Sequence, residues 1–344
     1  MRIAVVRNRS REGVIARRGQ PSPERYGRTS LENIVAALGE RGHEVACFEG
    51  DKTLLEELEA FIGPEAASGE PGGLVLNLAY GIQGDARYTH VPAMLEMAGV
   101  PYTGAGPLGH GVSLDKAVAK TLMRDAGVPT PGFEVLDAPH ALPAGLAFPV
   151  VVKPRHESTS HGLRLASDQE ELDVAVGEIV EAYAQAALVE EYIEGREVCL
   201  GLVGNDPVRV LPAVELDFGT RGHRLLTHDD KFHLADDEPA KVCPAPLAPD
   251  LRTRLDELAR TTFDACHCQD YARVDARIDR HGNPWVLEIN SMASLGAGGS
   301  FVLAAATAGL GFGALLDLIL DEAWRRCAGR PTTGGEKRAL RAAA

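Results

Sequence analysis

"YARVDARIDRHGNPWVLEINSMASLGAGGS", residues 271–300, decides how the chain is read. Two strand-like runs, residues 271–278 and 284–290, flank a turn, and His281-Gly282 suits the tight connection of an antiparallel hairpin. With the turn centred there, pairing follows by counting. Asp275 faces Glu288, Arg273 faces Asn290, and Val274, Ala276 and Ile278 face Ile289, Leu287 and Trp285. One face is then apolar and turned to a core, while the other presents Arg273, Asp275, Glu288 and Asn290. Like charges directly opposite on a sheet are destabilising. Two carboxylates and an amide oxygen at one point suit a hard cation that also takes substrate phosphates, as Mg²⁺ does. A solvent-washed face of unrelated charges is the other reading, and these residues alone leave both open. Beyond Asn290 the strand passes straight into a loop of Gly, Ala and Ser.

Two further stretches point to phosphate and nucleotide. In "FPVVVKPRHESTSHG", residues 148–162, a β-branched strand ends at Lys153 and Pro154 stops its ladder. The polar loop that follows, with Ser158, Thr159, Ser160 and Gly162, can fold over phosphates with hydroxyls and backbone N–H groups. The G-x-x-x-x-G-K-[ST] spacing of a Walker loop is absent. Lys116 falls in the first turn of a helix that Ser113 can cap, with Leu114, Ala117, Val118, Thr121 and Leu122 as its apolar face. The helix dipole disfavours a cation there, which suggests an outside reason for the charge. A surface lysine is the plainer reading of either residue. In "ALVEEYIEGREV", residues 187–198, a strand runs into Glu190, Tyr192 and Ile193, and Gly195 turns the chain before Glu197. Adenine can meet such a strand edge and Glu197 can accept from ribose hydroxyls. A strand with acidic edges is the alternative.

A chain of 344 residues is long enough for two or three domains with their own cores. No apolar run approaches the roughly 20 residues of a membrane helix, and the first residues read as a strand rather than a signal peptide. The expectation is a cytoplasmic protein with no membrane partner. Six cysteines in unrelated contexts make no disulfide framework, and Cys266-His267-Cys268 lacks the second pair of a zinc site and reads as a helix end. The net charge of −14 argues against nucleic acid. It is uneven, since residues 1–30 hold eight arginines against Glu12 and Glu24. Strand and helix patterns alternate from residue 2 to 98 and predict a small parallel α/β unit. Strands dominate after residue 148, with helices at 169–182 and 250–265 and a Gly/Thr/Arg/Ala-rich tail.

In this order, "GVPYTGAGPLGHGVSLDKAVAKTLMRDAGVPTP", "FPVVVKP", "LVEEYIEGREV", "ARVDARID" and "WVLEINSM" resemble the ATP-grasp ligases, most closely the D-alanine–D-alanine ligase branch, over roughly residues 74–323. The resemblance implies an α/β fold, α+β in its ATP-binding part, with three domains: residues 1–108, 109–195 and 196–327, before a tail at 328–344. It implies a ligase in which a carboxylate takes the γ-phosphate to form an acyl phosphate and an amine then displaces phosphate to form an amide. Lys116, Lys153 and Lys231 correspond to phosphate contacts, and Glu190, Tyr192, Ile193 and Glu197 to the adenosine site. Asp275, Glu288 and Asn290 correspond to ligands of two Mg²⁺ ions, with Mn²⁺ as a substitute. Arg273 stabilises charge at the reacting centre, with Ser160 and Ser294 beside it. The loops at 155–162 and 225–234 are the expected lids, and a homodimer is the expected assembly.

The pattern breaks where amino acids bind. The branch places an acid, poised for the first substrate's ammonium, in a first loop that here reads "RNRSREGVIARRGQPSPERYGRTS". Tyr80 replaces the histidine of its H-G-x-x-G-E-D-G stretch, Ser294 a glycine and Gly299 a serine that grips the second substrate's carboxylate. These departures imply an amino-acid or dipeptide ligase of specialised metabolism, not D-alanyl-D-alanine synthesis. The arginine cluster implies an acyl donor with an extra anionic group, with Arg7, Arg9 and Arg28 as candidates. Ring closure within one substrate, tailoring of a peptide, and a non-catalytic ATP-binding protein are the rival readings.

Overall fold

The computed structural model describes residues 1–8, 24–65, 69–221, 224–226 and 239–328. The first sheet is parallel, in the order β2-β1-β3, from β1 (Arg2–Arg7), β2 (Glu44–Glu49) and β3 (Gly73–Asn77). Ile3, Ala4, Val5 and Val6 are all buried, because helices cover both faces of a parallel sheet. Helix α1 (Arg28–Glu40) buries Leu31, Ile34 and Leu38 at helical spacing, as predicted. The next helix, α2 (Leu54–Ile62), was not expected, although Leu54, Leu58 and Ile62 recur every four residues. Helix α3 (His90–Met97) follows β3.

The predicted helix at 113–126 is two helices, α4 (Pro107–Leu114) and α5 (Lys116–Asp125). Ser113 lies inside the first of them. The cap is Asp115, whose carboxylate accepts from the backbone N–H of Ala117 at 3.1 Å and Val118 at 3.2 Å. The buried side of α5 carries Ala117, Ala119, Lys120 and Met123, while Val118 is exposed.

A second, antiparallel sheet has the order β4-β7-β5-β6, from β4 (Phe133–Leu136), β5 (Val150–Pro154), β6 (Arg164–Ala166) and β7 (Ala187–Glu191). Helix α6 (Gln169–Tyr183) buries Leu172, Ala175, Val176 and Ile179. The third sheet is also antiparallel, in the order β11-β10-β8-β12-β13, with β9 beside β8. Its strands are β8 (Gly195–Val203), β9 (Arg209–Val210), β10 (Val214–Asp217), β11 (Ala240–Val242), β12 (Tyr271–Asp279) and β13 (Pro284–Asn290).

The cores do not follow the expected linear boundaries. Helix α5 packs Ala119 and Met123 with Val198, Leu200, Val274 and Ile289, together with α7 (Pro249–Ala265). Helices α8 (Ser300–Thr307) and α9 (Phe312–Ala328) join the third sheet to the first, so that Leu315, Leu316 and Ile319 share a core with Ile3, Val5 and Leu76. Gly201 permits the close approach of α8, since a Cβ there would meet the Phe301 ring at 2.8 Å. Among the described residues no single helix is long and apolar enough to cross a membrane. Cys266 and Cys268 are buried at the end of α7, and no cluster of three metal-binding His, Cys, Asp or Glu side chains occurs among the described residues.

The β12–β13 hairpin pairs Arg273 with Asn290 and Asp275 with Glu288, as counting predicts. The turn, however, is set one residue differently. Asp279 N–H bonds to the Asn283 carbonyl at 2.9 Å, and Gly282 takes φ +82°. The Asp279 carboxylate accepts from the backbone N–H of His281 and Asn283 and from the Trp285 indole. Ile278 therefore pairs with Pro284 and Ala276 with Val286, and a bulge at Leu287 restores the offset before the acids. Val286, not Leu287, is in the core.

Asp115 joins two elements at once. Besides capping α5 it accepts a bidentate bond from Arg155, at 2.8 and 2.7 Å, just past the end of β5. Asp115→Ala is expected to lower stability by about 2 kcal/mol in urea unfolding, and Asp115→Asn, which keeps a capping oxygen, by about half as much.

Candidate active site

A cavity of about 370 Å³ opens where the three sheets meet. The ends of β5 and β7 form one wall, the site face of β12 and β13 another, and the segment at 24–25 with Tyr80 and Tyr88 a third. Every residue predicted for ATP, metal and catalysis lines this one cavity, except Lys231, which lies outside the described residues. Leu225 and Leu226, at the start of the second predicted lid, also line it.

Arg273 and Asp275 alternate onto the cavity side of β12, and the guanidinium grips the carboxylate through Nε at 2.6 Å and Nη2 at 2.7 Å. Burial works against the charge of Arg273, but Asp275 reverses this and raises its pKa. Asn290 Nδ2 donates to Asp275 Oδ2 at 3.0 Å. With Glu288 opposite Asp275, the set is two carboxylates, one amide and one guanidinium. Two carboxylates and an amide oxygen leave the rest of a coordination shell to water and phosphate oxygens, so the donor chemistry fits a hard divalent cation.

The lysines sit across the cavity. Lys153 Nζ donates to Glu190 Oε1 at 2.5 Å, and Lys120 Nζ lies 2.8 Å from Glu190 Oε2. Burial alone would raise the Glu190 pKa, but the two ammonium groups hold it below its ordinary value. Burial lowers the Lys120 pKa to about 8, with Glu190 offsetting part of the shift. The Lys153 pKa is also lowered by burial, yet Glu190 and Glu288 leave it raised overall. Lys116, at the first position of α5, donates to the Glu157 carbonyl and so has the outside partner that its place against the dipole suggests. Burial lowers its pKa.

The loop between β5 and β6 is bent back by Thr159 and Ser160, both with φ +55°. The left-handed region is costly for a β-branched residue. Thr159 lines the cavity, and its hydroxyl is buried without a hydrogen-bond partner. At the other end, Tyr192, Ile193 and Glu197 lie beside Val151 and the bulged Leu287, which give an apolar slot. Ser294 lines the loop after β13; Tyr26 accepts from Leu295 N–H at 3.0 Å and so ties that loop to the first wall.

Several cavity residues escaped the sequence reading. Glu24 is the acid of the first loop among the described residues. It is buried, with Arg87 Nη2 donating to it at 3.0 Å and the Tyr88 hydroxyl donating to its other oxygen. Its signal was a lone Glu-Arg pair inside an arginine-rich stretch. Of the arginines there, Arg25 lines the cavity. Arg7 pairs with Glu49, Arg28 is exposed and pairs with Glu32, and Arg9 lies outside the described residues. Lys120, which does not line the cavity but pairs with Glu190 behind it, lies one helical turn after Lys116. Arg277 continues the alternation of Arg273 and Asp275 onto the same side of β12.

Comparison with known proteins agrees with this architecture. Residues 122–321 match the family described as D-ala D-ala ligase C-terminus. The chain is 32% identical to a D-alanine–D-alanine ligase of Halorhodospira halophila, over 89% of this chain and 99% of that one. It is 52% identical to the uncharacterized protein y4sG of Sinorhizobium fredii, over 97% of this chain and 100% of that one. The D-alanine–D-alanine ligase of Bacillus anthracis, solved in complex with ATP, superposes with a TM-score of 0.75 at 22% identity, covering 96% of this chain and 99% of that one. The chain belongs to the D-alanine–D-alanine ligase family, the ATP-grasp ligases that form a carbon–nitrogen bond.

Proposed function

We propose that the protein joins a small carboxylic acid to an amine through an acyl phosphate, with release of ADP and phosphate. The observation that carries this reading is the convergence of Lys116, Lys153, Arg273, Asp275, Glu288 and Asn290 on one cavity. Phosphoryl transfer asks a protein for positioning and for neutralised oxygens more than for covalent chemistry. Lys116 and Lys153 neutralise phosphate oxygens, and the strained loop at 158–162 covers them. Asp275, Glu288 and Asn290 would hold Mg²⁺, which would supply positive charge to neutralise phosphate oxygens. Arg273, Ser294 and the adjacent backbone N–H groups face the carbonyl carbon on which negative charge builds when the amine attacks. The slot at Tyr192, Ile193 and Leu287 takes the adenine, and Glu197 the ribose. Closure of the loop excludes the water that would hydrolyse an acyl phosphate.

The donor differs from D-alanine in this reading. Glu24 lies in the loop where the branch places an acid for a substrate ammonium, and it is already engaged by the Arg87 guanidinium and by Tyr88. A second cation drawn to Glu24 would sit against Arg87. Arg25 adds another positive group to the same wall. Both favour an acid whose far end is anionic. The substrates are an amino-acid-like acid and amine of specialised metabolism.

Three measurements test these points. Phosphate release is followed with ATP, Mg²⁺ and pairs of amino acids and small acids, and products are weighed by mass spectrometry. A joined pair supports the ligase, whereas loss of water from one substrate supports ring closure instead. Glu288→Gln is expected to lower kcat by about 10³-fold. Full turnover with Asp275 and Glu288 both replaced by alanine would sink the proposal. Arg25→Ala is expected to raise the KM of a dicarboxylic donor by about tenfold and that of a matched monocarboxylic donor by less than about twofold. Equal effects on the two donors would remove Arg25 from specificity.

A further inference from the structure

Arg277 is a large cation buried at the nucleotide end of the cavity. It projects from β12 on the side that carries Arg273 and Asp275, pairs in register with Glu197 of β8, and is 2% exposed. One terminal nitrogen, Nη2, is spent on backbone, reaching the Gly195 carbonyl at 3.5 Å and the Arg224 carbonyl. The guanidinium carbon lies 5.1 Å from the centre of the Tyr192 ring, within cation–π range. The residue lines the cavity, and its Nε is buried without a hydrogen-bond partner. The Glu197 carboxylate is 3.9 Å from that nitrogen, close enough for attraction and too far for a hydrogen bond.

A buried N–H without an acceptor is costly, and leaving it so beside a carboxylate is understandable where a ligand completes the pair. A hydroxyl group is the chemistry that fits. It donates to the carboxylate and accepts from the N–H, and an oxygen at hydrogen-bond distance from both atoms is compatible with their 3.9 Å separation. Water or an ammonium would also meet Glu197, but an ammonium has no lone pair for Nε. The same guanidinium holds the carbonyls of Gly195, the first residue of β8, and of Arg224.

We infer that Arg277 is a specificity-determining residue for the nucleotide, presenting Nε together with Glu197 to a ribose hydroxyl. This rests on the nucleotide reading given above and extends it to a residue outside that assignment. The test is calorimetric binding of ATP, 2′-deoxy-ATP and 3′-deoxy-ATP with Mg²⁺ to the full chain, without acid or amine. Wild type is expected to bind ATP about tenfold more tightly than one of the two deoxy analogues. In Arg277→Met, ATP should weaken by about the same factor while that analogue is little changed, so the preference falls below about twofold. Arg277→Lys, which keeps the charge and lacks Nε, should lose the preference too, and it is read in the same way if the Met variant does not fold. Binding of all three nucleotides within twofold by wild type, or equal weakening of all three in both variants, overturns the inference. Absence of any ATP binding by wild type would instead overturn the ligase reading beneath it.

Discussion

Asp275 and Glu288 stand directly opposite one another on neighbouring strands, and most of the site can be understood as compensation for that arrangement. Facing carboxylates repel, and burial removes the water that would screen them. The protein answers first with Arg273, clamped on Asp275 through two hydrogen bonds. It answers again across the cavity, where Lys153 feels Glu288 as well as its nearer partner Glu190. In the proposed reading a cation between the carboxylates would complete the balance, with a polyphosphate lying against the lysines. The cavity is therefore close to neutral as a set of side chains, and poised to take a metal and a nucleotide together rather than either alone.

The lysines show how the backbone supports this balance. Lys116 and Lys153 come from different elements, the start of α5 and the end of β5. Asp115 and Arg155, the residues next to or near them, are bound to each other. One carboxylate thus closes the helix cap and fixes the distance between the two phosphate-side elements. Lys120, a turn further along α5, returns to Glu190 on β7 and fixes the third. The charges proposed to bind phosphate are held by charges that do not need to touch it.

Much of this was legible in the residues, for identifiable reasons. Alternation along 271–278 and 284–290 exposed the acids, because a strand facing both a core and a polar cavity has period two. The order of the lysine, acid and hairpin motifs identified the family. What escaped depended on long-range packing. Glu24 and Arg87 are far apart in the chain and acquire meaning only when the 3₁₀ turn at Arg87–Thr89 meets the first loop. The split of 113–126 into two helices was hidden because Asp115, a strong cap, follows an otherwise continuous apolar pattern. The sharing of cores by α5, α8 and α9 across expected boundaries has no local signal, since an apolar helix face does not name the sheet it covers.

The hairpin itself shows why a correct pairing can be reached by an incomplete route. Counting from a turn at His281-Gly282 opposes Asp275 to Glu288, and so does the structure. Between turn and acids, however, the strands are offset by one residue, and the bulge at Leu287 removes the offset. A hairpin with the observed turn and no bulge would set Leu287 opposite Asp275. Glu288 would then face the core side, because a shift of one residue exchanges the faces of a strand. The bulge does two things with one extra residue. It returns Glu288 to the cavity, and it turns Leu287 out of the core, where Val286 takes its place, to form part of the apolar slot beside Ile193. The metal side and the nucleotide side of the site are therefore not independent inventions on this strand. Deleting the irregularity would remove a carboxylate from one and an apolar wall from the other, which is a physical reason for the two to occur together in a single short segment.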